Sequence, residues 1–310
     1  MPARNVSSVG SEHYFDRVGV TGSSPVRSTL FNQNIQHHFV YINDSFVAEE
    51  TAALFVNDLA IQRGYGIFDF FKTINGKFIF IDDHLDRFFY SASRMHLPVG
   101  KSREELKNVL HGLSVKNNIP DSGIKITLTG GYSEDGYSLK KPNLIITQKA
   151  LSFSHNDFSK GLKLVTYEHQ RQLPDVKTID YLMAIWLKPF IAEKGADDVL
   201  YHKSGIVTEC PRSNIFIVTN DDRIITPADN ILKGVTRKHL IAVAKGKYVV
   251  EEKNVSIEDI VKAKEVFITS TTKQLLPVLQ VDDHLIGNGK TGAITLWLKE
   301  QLSQLIGVVQ

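Results

Sequence analysis

The 310-residue sequence contains a single cysteine, Cys210. One cysteine forms no internal disulfide and builds no multi-thiolate metal site, which favours a cytoplasmic setting. No apolar run approaches the length of about 18 residues that crosses a bilayer, and the N-terminus has no apolar stretch typical of a secretory signal. The chain also lacks a large net charge, since it has 36 Lys and Arg and 34 Asp and Glu. This balance favours small-molecule partners over nucleic acid or a membrane.

Apolar residues are plentiful, at 42% of the chain. That content supports a full core in one large or two ordinary domains. Residues 1–37 are rich in Ser, Gly and Asn without periodicity, and we expect a disordered tail there. We predict a small α/β domain over 38–150, an interdomain linker over 151–156 and a larger domain over 157–310.

Short strands and helices follow one another in mixed order after residue 38. Hairpins are predicted over 39–47 and 66–81, the second with the turn pair Asn75-Gly76. Further strands are predicted over 123–130, 143–148, 162–167 and 265–270, and helices from Asp82 and Thr236 and over 103–116, 178–194 and 291–306. This order favours an α+β fold over a regular parallel α/β sheet.

Lys177 is the most informative candidate for chemistry. It precedes a predicted helix and has apolar neighbours at Val176 and Ile179. An apolar setting destabilises an ammonium group and lowers its pKa, as a Schiff-base lysine requires. The same pattern also fits a surface lysine with a buried stem, so the motifs that accompany Lys177 decide its interpretation.

Four motifs follow Lys177 in the chain. They are Ser204-Gly-Ile-Val-Thr-Glu209-Cys-Pro-Arg-Ser-Asn-Ile-Phe, Thr226-Pro227, Leu232-Lys-Gly-Val-Thr-Arg237 and Glu265-Val-Phe-Ile-Thr-Ser-Thr-Thr272. Their order and spacing over about residues 39–309 resemble the class IV, or fold-type IV, pyridoxal-phosphate enzymes. These are the branched-chain aminotransferases, D-amino-acid aminotransferases and aminodeoxychorismate lyases. The resemblance implies pyridoxal 5′-phosphate as cofactor, a homodimer, and a large cofactor-binding domain with a barrel-like sheet.

The resemblance also implies roles for individual residues. Lys177 is the expected catalytic residue, which holds the cofactor and moves the proton, and Glu209 is expected to pair with the pyridine nitrogen. Arg87 matches the family's phosphate arginine. Tyr181 is expected near the cofactor's phenolic oxygen, although the family spacing from the lysine is one residue longer. The remaining expected cofactor-binding residues are Val235, Thr236, Ser270 and Thr271, the first two at a helix N-terminus suited to an anion. No metal site is expected.

The substrate side departs from the family pattern. Tyr65 and Asp69 stand where many relatives have Asp and Glu. The carboxylate-binding arginine of the D-amino-acid enzymes falls on Gly130, and that of the lyases near Asp135. Lys125 lies near an arginine position of the branched-chain enzymes, although lysine replaces arginine poorly in bidentate recognition. The expected substrate-binding residues are Tyr65, Phe68, Lys125 and Thr272.

The reaction expected from the resemblance is amino transfer between an amino acid and a 2-oxo acid, with an L-branched-chain-like donor favoured by the aromatic residues near Phe68. Three alternatives stay open. One is an aminodeoxychorismate lyase, which forms 4-aminobenzoate and pyruvate without transfer to added oxo acids. Another is a D-amino-acid aminotransferase. The last is an inactive binding protein that keeps the fold and the cofactor.

Overall fold

The computed structural model describes residues 38–151, 158 and 160–307. The predicted tail over 1–37 and all but Leu151 of the predicted linker lie outside the described residues. The strands are β1 (Phe39–Ile42), β2 (Ser45–Ala48), β3 (Gly66–Ile74), β4 (Lys77–Phe78), β5 (Ser122–Thr129), β6 (Leu144–Ala150), β7 (Leu162–Glu168), β8 (Asp198–Lys203), β9 (Ile206–Val207), β10 (Glu209–Cys210), β11 (Ser213–Val218), β12 (Ile224–Thr226), β13 (Val250–Glu252), β14 (Val255–Ser256), β15 (Glu265–Ser270), β16 (Gln274–Val281) and β17 (His284–Leu285). The α-helices are α1 (Leu59–Arg63), α2 (Ile81–Arg94), α3 (Arg103–Asn117), α4 (Leu182–Trp186), α5 (Lys188–Glu193), α6 (Val235–Ala244), α7 (Ile257–Lys262) and α8 (Ala293–Leu305).

The first half of the chain builds a six-stranded sheet in the order β2-β1-β6-β5-β3-β4. All of its neighbouring strands are antiparallel. Helices α2 and α3 contribute apolar residues to its core at helical spacing, as Leu85, Phe88 and Ala92 do in α2. Phe71 of β3 is fully buried in the same core. This packing holds β3, which carries several candidate site residues, against α2.

The second half builds a mixed eleven-stranded sheet. β7 runs parallel to β8 and β16, whereas β11 and β15 pair antiparallel. Every residue of β11 is buried, because one face packs in a core with Ile268 and the other in a core with Leu240 of α6. Coverage on both faces explains why this strand is a nearly continuous apolar run rather than an alternating one.

The α+β prediction is confirmed, but two predicted elements are wrong. Instead of the helix predicted over 178–194, the structure has two short helices, the first of which begins at Leu182. Residues 177–179 are not helical because they pair with β3. Phe68 N donates to Lys177 O at 3.0 Å, and Ile179 N donates to Gly66 O at 3.0 Å. Pro189, near the start of α5, lacks the amide that would continue α4. The strand predicted over 77–81 ends at Phe78 because α2 already begins at Ile81.

The other predicted elements lie within a few residues of the observed ones. The two sheets draw their strands from either side of residues 151–156, but the domain division itself stays a prediction. Within the described part of the chain, no helix is both long and apolar enough to span a bilayer.

Candidate active site

A cavity of about 740 Å³ collects almost all of the predicted site residues. Its wall combines residues of β3 and α2 with loops of the eleven-stranded sheet. Of the predicted residues, the cavity is lined by Tyr65, Phe68, Arg87, Lys177, Tyr181, Glu209, Val235, Thr236, Ser270, Thr271 and Thr272. Lys125 is the one predicted residue that does not line it. Positions more than 200 residues apart in the sequence therefore share one site.

Lys177 lies on the cavity wall, and two hydrogen bonds of its backbone fix its position. Its carbonyl accepts the Phe68 amide, and its own amide donates to Ser91 Oγ at 3.2 Å. The side-chain ammonium lies 4.5 Å from the centre of the Phe68 ring. Burial, followed by the positive charge of Arg87, lowers the pKa of Lys177 to about 7. A large share of the neutral amine is thus present near neutral pH, as a nucleophile or general base requires.

Glu209 is buried beside an arginine that the sequence analysis missed. Arg171 Nε donates to Glu209 Oε1 at 2.9 Å, and the Leu232 amide donates to Oε2 at 3.0 Å. Burial raises the pKa of the Glu209 carboxyl, while the Arg171 charge favours the ionised form. Arg171 also donates to the carbonyls of Val176 and Pro174.

Arg171 therefore connects the buried carboxylate to the segment that carries Lys177. Two features of the sequence could have pointed to Arg171. A buried carboxylate needs a cation nearby, and Arg171 lies six positions before Lys177. Sequence spacing alone does not show which cation reaches Glu209.

Arg87 lines the cavity in a fixed orientation. Its Nε and Nη2 donate to Asp69 Oδ2 and Oδ1, each at 2.8 Å, and Asp69 is fully buried. His84 Nδ1 lies 2.7 Å from Asp69 Oδ1. Burial acts to raise the Asp69 pKa, but Arg87 and His84 overcome it and hold that pKa well below its usual range. Asp69 is thus the residue that orients Arg87.

Two loops bring polar groups to the same part of the cavity wall. Gly234 is the N-cap of α6 and provides no side chain, and Thr236 in the first turn is largely buried. The first amides of a helix bind anions readily. Ser270 ends β15, and Thr271, Thr272 and Lys273 form the turn to β16. Lys72, itself buried, donates to the Thr272 carbonyl at 2.9 Å and holds this turn against β3.

Aromatic side chains form another part of the wall. Phe68 lies 5.9 Å from Tyr181, ring centre to ring centre. The Tyr65 hydroxyl donates to the Met95 carbonyl at 2.8 Å, so its proton is already in a hydrogen bond within the protein. Lys125 lies 5.1 Å from the Phe68 ring centre but outside the cavity lining.

The cavity has an excess of positive charge. Its lining includes Lys177 and the arginines at 63, 87, 171, 212 and 237, against the carboxylates of Asp180 and Glu209. An anionic small molecule fits this wall. A poised lysine, a buried carboxylate and a helix N-terminus match the aldehyde, ring nitrogen and phosphate of pyridoxal phosphate respectively. No cluster of three or more His, Cys, Asp or Glu suited to a metal occurs within residues 38–151, 158 and 160–307.

Comparison with known proteins agrees with this chemistry. The family amino-transferase class IV matches residues 66–281. A D-alanine aminotransferase of Listeria monocytogenes is 33% identical over 84% of the chain and 93% of that protein. A putative branched-chain-amino-acid aminotransferase of Methanocaldococcus jannaschii is 30% identical over 86% of the chain and 96% of that protein. The structure of the branched-chain amino acid aminotransferase from Escherichia coli has a TM-score of 0.79 at 22% identity, over 88% of this chain and 96% of that one. The fold is therefore that of fold-type IV.

Proposed function

Because the chain belongs to the class IV aminotransferase family, whose members use pyridoxal 5′-phosphate, we propose that it moves an amino group between an amino acid and a 2-oxo acid. The observation that carries this proposal is the meeting of Lys177, Glu209 and the α6 N-terminus in one cavity. A lysine amine, a carboxylate and an anion site are the three groups that this chemistry needs.

The bound cofactor supplies an electron-withdrawing ring that stabilises negative charge at the substrate Cα. Lys177 would hold the cofactor and, once released from it, move the proton between Cα and the cofactor. The neutral amine needed for this dominates above its pKa of about 7 and is lost as the pH falls below it. Glu209, whose ionised form the Arg171 charge favours, would hold a proton on the ring nitrogen.

The remaining residues would bind and orient. Arg87 and the first turn of α6, with Ser270 and Thr271, would hold the phosphate, and Tyr181 would face the phenolic oxygen. Val235 would complete the cofactor site, and Thr272, which we expect to bind substrate, lines the same cavity. We also propose a homodimer, as the family resemblance implies.

We propose a donor with an apolar side chain, branched-chain-like as the sequence suggests. Phe68, Phe70, Met95 and Met183 supply apolar surface to the cavity. A D-amino-acid donor is the second candidate, since several relatives are named D-alanine aminotransferases.

Absorption spectroscopy tests the reaction. The purified protein with added pyridoxal phosphate should show a cofactor band that borohydride fixes on Lys177. Lys177→Ala should lose the fixed cofactor and at least about 1000-fold in kcat, because no other group on the cavity wall replaces the amine. Lys188→Ala, on the exposed surface of α5, is the matched control. Wild-type turnover by Lys177→Ala would refute the assignment.

A panel of L- and D-amino acids with added 2-oxo acids distinguishes the alternatives. Conversion of the bound cofactor to its amine form by an L- or a D-amino acid identifies the donor. Formation of 4-aminobenzoate from aminodeoxychorismate, without transfer to an added oxo acid, would instead identify a lyase. Cofactor binding with no conversion by any member of the panel would indicate an inactive binding protein.

A further inference from the structure

The motif around Glu209 places a second charged residue at the cavity. β10 and β11 form a tight hairpin in which Cys210 pairs with Ser213, so Pro211 and Arg212 are its two turn residues. Proline restricts the backbone of the turn. The strand residues on either side are buried, and Glu209 pairs across with Asn214. A rigid hairpin therefore presents Arg212 at the cavity wall, where its side chain is exposed.

The ion pairs of the cavity arginines separate them into two groups. Arg87 pairs with Asp69, Arg171 with Glu209 and Arg237 with Glu252, each at 2.8 or 2.9 Å. Arg212 and Arg63 have no carboxylate partner within 4.0 Å among residues 38–151, 158 and 160–307. Arg63 donates to the neighbouring Gln62 carbonyl. Within the described part of the chain, these two guanidinium groups at the cavity are thus available for an anion.

Arg212 lies near Tyr181 on the cavity wall. The Lys177 ammonium contacts the Phe68 ring, and that ring contacts Tyr181. Burial raises the pKa of the Tyr181 phenol, and among the nearby charges Arg212 opposes this rise most strongly. The guanidinium is therefore within electrostatic reach of Tyr181, whose ring contacts the Phe68 ring beside the Lys177 amine.

Neither position at which the family resemblance implies a carboxylate-binding arginine, Gly130 or the region of Asp135, provides a cation in this chain. A Cβ atom at Gly130 would lie 2.8 Å from Leu59 Cδ1, and Leu59 is buried. Asp135 has the opposite charge and accepts hydrogen bonds from Ser133, Tyr137 and Ser138 in its own loop. Since Lys125 also lies outside the cavity lining, the groups left to bind a substrate carboxylate are the arginines that line the cavity, backbone amides, or donors from a second subunit.

We propose that Arg212 binds the α-carboxylate of both substrates, the amino acid and the 2-oxo acid, an assignment that rests on the aminotransferase function proposed above. The planar guanidinium matches a carboxylate through two parallel hydrogen bonds. The β10–β11 hairpin then performs two tasks, with Glu209 toward the cofactor ring and Arg212 toward the substrate. Arg212 therefore determines specificity for acids over neutral amines.

Kinetics of the holoenzyme test this assignment. Arg212→Gln should raise KM for the amino acid and for the 2-oxo acid by about 10- to 100-fold, since both lose a charge-assisted contact. The kcat at saturation and the affinity for pyridoxal phosphate should change by less than about threefold, because Arg212 would touch neither the reacting atoms nor the cofactor. Arg212→Lys should recover only part of the loss, as lysine is a point charge.

A binding measurement makes the outcome independent of turnover. Calorimetry of the holoenzyme with isovalerate and with its neutral amide should show a preference for the acid of about tenfold or more, and Arg212→Gln should abolish it. Arg63→Gln is the matched comparison, since it removes the other cavity guanidinium that has no carboxylate partner among the described residues. Three outcomes would overturn the proposal. The wild-type protein could show no preference for the acid, Arg212→Gln could keep the preference, or only Arg63→Gln could abolish it. If the preference depends on Arg212 in a protein that transfers no amino group, only the proposed function fails.

Discussion

At the scale of single residues, the site depends on pairs rather than on isolated groups. Burial raises the pKa of the Glu209 carboxyl, and a protonated acid cannot hold a second proton on a ring nitrogen. Arg171 and the Leu232 amide both bind its oxygens and favour the charged form. Asp69 has the corresponding task for Arg87, which it holds by two hydrogen bonds. These partners explain how charged groups persist in a largely buried wall.

Glu209→Gln is predicted to lower kcat by about 100-fold, since an amide cannot stabilise the ring proton during the reaction. Cofactor affinity should fall much less, because the phosphate contacts remain. Glu252→Gln is the matched control, as it removes the partner of another cavity arginine, Arg237, without a place in the proposed chemistry. Steady-state rates at saturating cofactor provide the measurement, and an unchanged kcat in Glu209→Gln would remove Glu209 from this role.

At the scale of elements, the N-terminus of α6 is shaped by close packing. A Cβ atom at Gly234 would lie 2.2 Å from Asn214 Oδ1, the atom that accepts the Gly234 amide at 3.1 Å. Asn214 also donates to the Leu232 carbonyl at 2.7 Å, so it cannot move without losing both contacts. The backbone of Gly234 is ordinary, with φ of −66°. The need for glycine here is therefore steric.

Gly234→Ala is predicted to weaken pyridoxal phosphate binding by about tenfold, because the added methyl group displaces the first turn of α6 from the phosphate site. Gly246→Ala, just beyond the other end of the same helix, is the control, since its Cβ atom would meet only the Val243 carbonyl at 3.3 Å. Fluorescence titration of the apoprotein measures both affinities. Equal affinities of the two variants for pyridoxal phosphate would show that the clash with Asn214 does not disturb the phosphate site.

At the scale of the whole molecule, an exposed apolar surface lies next to the cavity. Leu182, Ile185 and Trp186 of α4 are 77%, 66% and 62% exposed, directly after Tyr181. Apolar side chains grouped in this way mark contact surfaces in many proteins. The proposed homodimer would bury such a surface and place a second chain close to the site.

Light scattering should therefore give twice the mass of one chain. Trp186→Glu should shift the protein toward monomer by burying a charge at the contact. Val115→Glu, at a residue 76% exposed on α3, should leave the mass unchanged. A monomeric wild-type protein, or a dimer unaffected by Trp186→Glu, would exclude α4 from the contact.

The sequence by itself determined the family, the α+β class and eleven of the residues that line the cavity. This was possible because Lys177, Glu209 and the Gly234-Val-Thr236 turn lie in local motifs whose backbone and chemistry depend on near neighbours. Only the tertiary structure decided the partners: Arg171 for Glu209, Asp69 for Arg87, and the pairing of residues 177–179 with β3 in place of a helix. It also decided that Lys125 lies outside the cavity lining, whereas Arg63 and Arg212 lie in it with no paired carboxylate in the part of the chain that the structure describes. Such pairings join residues distant in sequence, and their energies depend on burial and distance that no local pattern contains.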